Sequence, residues 1–333
     1  AYEDVQKILD EKKGLYWEEL EAVNKLAYKL RAEKMANGAI SFDRDEIKFI
    51  LDEKGHPLKV VRKGRTDSNM LVEDFMLLAN RGVAEYVSKL VKNADKKFVY
   101  RIHDLPDREK LKQLANFIGP LGYKIKLDGE KIDQKSLNDL LKQSKGTPEE
   151  VMIQTATMRS MSKAVYGMKN IGHYGLAFQY YTHFTSPIRR YPDVMVHRLL
   201  DLYLKHEQPS EAMLKDYEKL VLHASQMELQ AQEAERDSIK YKQVEYLADR
   251  VGQVFDGVIS GLAKWGIYVQ ESETLAEGMV RLFDMSDDFY MFDEAQYSMI
   301  GRNTQKRYRL GDKVRLKLLK ADVREKLLDF QFV

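Results

Sequence analysis

The sequence contains no cysteine, so disulfide cross-links, thiolate metal sites and cysteine nucleophiles are excluded, a composition that fits the cytoplasm. It carries almost no net charge: 54 Lys and Arg stand against 52 Asp and Glu, a formal +2, which excludes a polycation held on nucleic acid by bulk charge. It has no apolar run near the ~20 residues that span a bilayer, and Ala1-Tyr2-Glu3-Asp4 is no signal peptide, so no membrane partner is expected. An initiating Met is also missing, and the chain is therefore expected to be processed or to be part of something longer. The seven histidines form no H-x-x-x-H or H-E-x-x-H zinc pattern, and neither a G-x-x-x-x-G-K-[ST] phosphate loop nor G-x-S-x-G occurs. What is present is a composition of folded type, 44% hydrophobic and 32% charged over 333 residues.

Periodicity divides the chain into two unequal parts. Residues 1–248 are mainly helical in pattern. Leu20, Val23, Ala27 and Leu30 recur at helical spacing before Gly38, and residues 38–52 look extended up to the turn Glu53-Lys54-Gly55-His56-Pro57. Val72, Phe75, Met76, Ala79, Val83, Tyr86, Val87 and Leu90 predict the buried stripe of a helix over 68–92. Further helices are predicted over 107–118, ended by Gly119-Pro120, and from Ser210 to Leu247. From 249 to 333 short alternating segments take over (251–260, 265–270, 278–283, 313–323 and 326–333), with glycines between them. Five such strands suit a small closed barrel of the OB type, so the predicted class is α+β: a helical body followed by a five-stranded barrel.

Two regions carry binding chemistry. Gly301 to Lys326 holds ten Lys and Arg against three Asp and Glu. Such a run is ordinarily a solvated strand face. Phe255, Trp265, Tyr268, Phe283 and Tyr308 nearby leave a stacking surface beside a basic edge as the alternative. The second region is Tyr180-Tyr181-Thr182-His183-Phe184-Thr185-Ser186-Pro187-Ile188-Arg189-Arg190-Tyr191-Pro192-Asp193. Two prolines, two adjacent arginines and four aromatics in fourteen residues predict a shaped loop rather than a regular element. Guanidinium forks bind phosphate through paired hydrogen bonds, although Asp193 and other carboxylates are equally available partners. On the helix over 68–92, Glu73 and Asn80 share a direction, either lining a cleft or marking the solvent edge. The acidic cluster Asp284, Asp287, Asp288, Asp293 and Glu294 lies inside the predicted barrel and reads as a loop, not as a two-metal site.

Thr185-Ser186-Pro187-Ile188-Arg189-Arg190-Tyr191-Pro192-Asp193, preceded by His173-Tyr174-Gly175-Leu176 and followed by His197-Arg198-Leu199, resembles the signature of the RNase II/RNase R exoribonucleases. Tyr2-Glu3-Asp4-Val5, Gly38-Ala39-Ile40-Ser41-Phe42, the stretch from Leu71 to Asn80, and Tyr100-Arg101-Ile102-His103-Asp104 resemble other blocks of that catalytic domain, in order. The tail from Val251 resembles the family's S1 domain, itself an OB barrel. RNase R is the nearer form, although Arg281-Leu282-Phe283-Asp284 departs from its usual pattern.

The resemblance implies processive 3′→5′ hydrolysis of single-stranded RNA to nucleoside 5′-monophosphates with Mg²⁺. The four aspartates that hold the metal in such enzymes would lie upstream of Ala1, so this chain is expected to be an inactive C-terminal part of the enzyme. The alternative is a non-catalytic RNA-binding module or scaffold. Carried over residue by residue, Arg189 would grip the scissile or terminal phosphate, inside a channel for an unpaired strand. Tyr2 would stand near the active site, Glu73 would contact the last nucleotides with Asp74 as the second choice, and Phe42 would stack on a terminal base. Arg190 would assist in the same loop. In the barrel, Phe255, Trp265 and Tyr268 are the candidate stacking residues, and Arg302, Lys306, Arg307 and Arg309 the candidate phosphate contacts.

Overall fold

The computed structural model describes residues 1–42, 46–90, 97–126, 134–147, 149–293 and 298–333. In chain order it begins with α1 (Tyr2–Glu11), α2 (Trp17–Ala36), the strands β1 (Glu46–Leu51) and β2 (Pro57–Lys63), and α3 (Asp67–Leu90). Strand β3 (Tyr100–Ile102), helices α4 (Arg108–Ile118), α5 (Gln134–Ser144) and α6 (Glu150–Ser160), and strand β4 (Val165–Gly167) follow. Helices α7 (Tyr191–Leu204) and α8 (Glu211–Ala248) come next. The tail holds β5 (Val254–Ala263), β6 (Gly266–Glu271), β7 (Glu277–Arg281), β8 (Tyr290–Asp293), β9 (Ser298–Gly301), β10 (Arg307–Arg309), β11 (Lys313–Asp322) and β12 (Leu327–Phe332). The fold is α+β.

Two compact units form. The first comprises Ala1–Phe42, Arg65–Asp107 and Met161–Ala231; the second comprises Asp43–Gly64, Arg108–Ser160 and Gln232–Val333. These units interleave along the chain, whereas the texture of the sequence changes once, near residue 248. The cause lies in apolar side chains: Val60 of β2 shares a core with Val244 and Leu247 of α8 and with the strands of the tail, and Phe117 and Met152 pack against it.

In the first unit α3, α7 and the start of α8 enclose Ala84, Val87, Phe98, Val99, Met195, Val196, Leu199, Tyr203, Tyr217 and Val221. Strands β3 and β4 pair antiparallel at its edge. The stripe expected on α3 is corrected in part. Val72 and Tyr86 are exposed, while Asp74 and Asn80 are buried with Ala84 and Val87. Both buried polar residues have side-chain hydrogen-bond partners, so burial there follows pairing rather than hydropathy. The last two residues of the expected helix, 91–92, lie outside the described residues.

In the second unit the five expected strands close into a barrel of order β11-β12-β7-β6-β5. β12 and β7 pair in parallel and the remaining neighbours antiparallel. Alternation selects the interior: Ile267, Val269 and Val280 face the core, while Tyr268 and Met279 pair on the other side. Close approach fixes two glycines. A Cβ on Gly278 would stand 2.5 Å from Phe330 and 2.6 Å from the Leu328 carbonyl, and one on Gly257 would stand 2.8 Å from the Gln270 carbonyl. Gly278→Ala is therefore expected to cost roughly 1–3 kcal/mol by overpacking. Urea unfolding followed through Trp265 would check this, and unchanged stability would contradict it.

Between β7 and β11 the structure adds an element that periodicity did not predict, a three-stranded sheet of order β10-β9-β8. Its inner face seats Tyr308 flat on Phe332 of the barrel, ring centroids 4.6 Å apart. Asp288 pins its turn by accepting the backbone N–H groups of Asn303 (2.9 Å) and Thr304 (2.6 Å) and the Thr304 hydroxyl (2.6 Å). Within the expected acidic loop, Leu282–Asp284 forms a short 3₁₀ turn, and Glu294 lies outside the described residues.

Candidate nucleic-acid interface

Residues 181–190 leave the edge of β3 and turn into α7. Arg101 N–H donates to the Tyr181 carbonyl (3.0 Å) and the Thr182 hydroxyl to the Val99 carbonyl (2.7 Å), so the incoming segment is held as an extended neighbour of β3. A tight turn follows, closed by Arg190 N–H on the Ser186 carbonyl at 3.1 Å. The expected loop ends earlier than its composition implied. Tyr191, Pro192 and Asp193 already form the first turn of α7, where proline forfeits no hydrogen bond.

Asp193 closes this turn from beneath. Its side chain is fully buried, and Oδ2 accepts both the Ser186 N–H (2.8 Å) and Nη2 of Arg190 (2.8 Å). His197, one helical turn further along α7, donates from Nε2 to the Phe184 carbonyl (2.8 Å) and stacks on the Phe184 ring with centroids 4.1 Å apart. The adjacent arginines are thereby separated in role. Arg190 turns inward, and its Nη2 pairs with Asp193. Arg189 stands exposed beside a fully exposed Ile188, and its Nη2 lies 3.4 Å from the Ser186 hydroxyl. Pro187, Ile188 and Arg189 are the apex of the turn and project away from the core.

Below the loop lies a buried aromatic and histidine cluster. His103 and His173 meet edge-on at 5.0 Å, His173 and Tyr181 at 5.3 Å, and Tyr181 and His183 at 5.6 Å. Tyr166 reaches Nδ1 of His183 through its hydroxyl at 2.8 Å. Burial holds the His173 imidazole down at about 3 and the His183 imidazole at about 2, helped by the nearby cations Arg101 and, for His183, Arg190. His103 is lowered for the same reason, while its Nδ1 accepts the Gly175 N–H (2.9 Å) and its Nε2 donates to the Ser162 carbonyl (2.7 Å). Arg101 lies 4.6 Å over the Tyr166 ring and binds Glu228 through both terminal nitrogens. The cluster is a neutral platform at physiological pH. Residue counting had found no zinc pattern in these histidines; nothing in their spacing revealed that they pack together.

The other site candidates of this unit are dispersed. Glu73 is exposed on α3, 3.8 Å from Arg65, and so keeps a face toward solvent. Asn80, seven residues on, is only 2% exposed because the Tyr181–Thr185 segment covers the helix there. Asp74 is 5% exposed and accepts from Nε (3.0 Å) and Nη2 (2.7 Å) of Arg31 with Lys34 behind it, so it joins α2 to α3. Tyr2 is exposed at the start of α1. Phe42 is half-buried at the end of a segment held to the His173–Leu176 turn by Ile40 N–H on the Gly175 carbonyl at 2.9 Å.

In the second unit, Trp265 is 63% exposed and donates from Nε1 to the Tyr268 hydroxyl at 3.3 Å. Phe283, which follows β7, is almost fully exposed, and the N–H of Leu282 beside it meets the Trp265 carbonyl at 3.2 Å. Phe255 is partly buried against the barrel core, where β5 meets Leu316. The four basic candidates belong to the added sheet. Arg302 and Lys306 lie in the turn between β9 and β10, and Arg307 and Arg309 lie on β10. Lys306 is 4.9 Å over the Tyr308 ring and 3.6 Å from Asp287, partners that raise its ammonium above the ordinary lysine value.

Among the described residues no group of three or more His, Asp or Glu is placed to hold a metal ion. The Mg²⁺ implied by the resemblance finds no ligand set among the described residues, and no chemical step is routed through it here. No described helix is long and apolar enough to cross a membrane.

Comparison with known proteins places these features. A family model for the RNB domain matches residues 1–244, and one for the S1 RNA binding domain matches residues 248–331. Ribonuclease R of Aquifex aeolicus is 37% identical over 308 residues, covering 91% of this chain and 43% of that protein. Ribonuclease R of Thermotoga maritima is 37% identical over 345 residues, covering 100% of this chain and 48% of that protein. Among solved structures, Mycoplasma genitalium RNase R in complex with ribose methylated single-stranded RNA matches with a TM-score of 0.89 at 26% identity, covering 100% of this chain and 53% of that one. The chain spans about half the length of the relatives it matches.

Proposed function

The chain belongs to the ribonuclease R family, with an RNB domain and an S1 RNA binding domain, and from that premise we propose that the intact protein is a 3′→5′ exoribonuclease acting processively on single-stranded RNA. The products are nucleoside 5′-monophosphates. A relative solved with ribose methylated single-stranded RNA supports the substrate class.

One observation carries the assignment of a role to Arg189. The turn from Ser186 to Arg190 is fixed by a buried carboxylate that consumes Arg190 and leaves Arg189 outward. An arginine held at the apex of a rigid turn can meet a phosphate without first being ordered, and a guanidinium aimed at a phosphoryl oxygen is worth most as charge develops there. In a protein of the relatives' length, the remainder of the chain supplies the channel walls that the apex lacks here, together with the metal-dependent activation of water. In the second unit, Trp265, Tyr268 and Phe283 offer faces for bases, and Arg302, Lys306, Arg307 and Arg309 offer contacts for the backbone between them. The present chain by itself binds RNA and hydrolyses it negligibly.

Arg189→Ala in a protein of full length is expected to lower turnover roughly a hundred- to a thousandfold, and RNA affinity far less. Single-turnover kinetics with a labelled RNA, alongside an equilibrium titration, would measure both. Equal proportional losses would argue against the catalytic role. An intact protein that binds RNA without releasing mononucleotides would establish the alternative, a non-catalytic RNA-binding module.

A further inference from the structure

We propose that Asn80 is a positioning residue for Arg189, acting through the backbone of the turn; the inference rests on the reading of Arg189 as a phosphate contact. Asn80 lies on α3, 2% exposed, and does not itself reach the apex. Its Oδ1 accepts two successive backbone N–H groups, from Phe184 at 2.9 Å and Thr185 at 3.2 Å, while its Nδ2 donates to the Tyr181 hydroxyl at 3.2 Å. Two consecutive amides that converge on one oxygen set the direction of the chain at that point. Here that point is where the chain leaves the edge of β3 and enters the turn. Asp193 Oδ2 joins the two ends of the turn, accepting Ser186 N–H just before the apex and Arg190 Nη2 just after it, so the peptide that carries Arg189 is anchored on both sides. The two anchors sit on different helices, α3 and α7, which makes the apex a bridge between packed elements rather than a free loop.

The chemistry of the anchor is specific. Only a side chain with an oxygen at this reach can accept both amides; leucine fills the same volume and accepts neither, leaving two N–H groups without a partner. Aspartate keeps the acceptor, and the Tyr181 hydroxyl can then donate to it. Phenylalanine in place of Tyr181 removes the other arm and leaves the two amides bound. The acceptor arm is therefore separable from the residue as a whole.

Amide hydrogen exchange and titration with a fluorescent oligoadenylate, both on the present chain, test the proposal. In the wild type the Phe184 and Thr185 amides should be protected like those of the core. Asn80→Leu should speed exchange at those two amides at least roughly tenfold and leave the Gly175 and His103 amides unchanged. It should also weaken oligoadenylate binding by roughly three- to tenfold, as Arg189→Ala does, and the double variant should bind no more weakly than Arg189→Ala alone. Asn80→Asp and Tyr181→Phe should each bind within about twofold of wild type. Unprotected amides in the wild type, an additive loss in the double variant, or faster exchange with unchanged affinity would each overturn the proposal. If Asn80→Leu fails to fold, the wild-type exchange and Asn80→Asp still decide, since loss of binding with the acceptor retained contradicts it. A wild-type chain that binds no oligoadenylate would remove the reading beneath the proposal, and the exchange data tell that failure from a failure of the Asn80 anchor.

Discussion

Asp193→Ala is expected to destabilise the first unit by about 3–5 kcal/mol, the cost of leaving a buried charge without its partner. The Arg190 side chain is only 18% exposed and Asp193 is not exposed at all, so water does not readily replace the lost carboxylate. The Ser186 N–H would be orphaned by the same change. Asp193→Asn keeps an acceptor for that amide and should cost less. The two tryptophans make the measurement selective, because Trp17 lies in the first unit and Trp265 in the second. In a Trp265→Phe background, urea unfolding followed by fluorescence reports the first unit alone. A loss below about 1 kcal/mol would show that solvent screens the pair as it screens surface ion pairs.

Acid should destabilise the same unit by a comparable amount. His173 and His183 are held neutral, at about 3 and about 2, mainly by burial. In the unfolded chain both return to about 6.5. The unfolded state therefore binds more protons below pH 6.5, so the stabilisation is complete above that value. It drains as the pH falls toward the folded values. Between pH 7 and pH 5 each histidine gives up about 2 kcal/mol, for roughly 4 kcal/mol together. The groups that face them work in the same direction. Arg101 and Arg190 add positive charge, His103 lowers His173, and His173 lowers His183. His183→Gln removes one titrating ring and keeps an amide for Tyr166, so it should roughly halve the loss between the two pH values. Equal stability at pH 7 and pH 5 would mean that these imidazoles are solvated in the native state.

Much of this architecture was legible in the sequence. Alternation located all five barrel strands, and the capping signals placed the ends of α4 and α8 close to where they fall. The three-stranded sheet escaped because its strands are short, three or four residues each, too few to display a period. The interleaving of the two units escaped for a different reason. Nothing local says that Val60 will pack beside Leu247, since both simply look apolar.

For the site, the sequence singled out the loop but not which of its two arginines pairs with Asp193. Arg189 and Arg190 are the same residue type, and only the fold shows that Asp193 takes one and leaves the other. Asp74 and Glu73 pose the same problem: neighbouring carboxylates on a helix point about 100° apart, so one meets Arg31 and the other meets solvent. Asn80 was visible as a polar residue out of pattern on an apolar helix, which is the trace that a buried hydrogen-bonding role leaves in a sequence.

The central claim is that Arg189, alone of the pair, is presented to the phosphates of single-stranded RNA. Its most direct test is the salt dependence of oligoadenylate binding by the present chain, by Arg189→Ala and by Arg190→Ala, the last examined where it remains folded. The account predicts that the slope of log K against log salt becomes shallower by about 0.7 for Arg189→Ala, the value for one lost contact to a single strand, and stays unchanged for Arg190→Ala. Identical slopes for wild type and Arg189→Ala would contradict it.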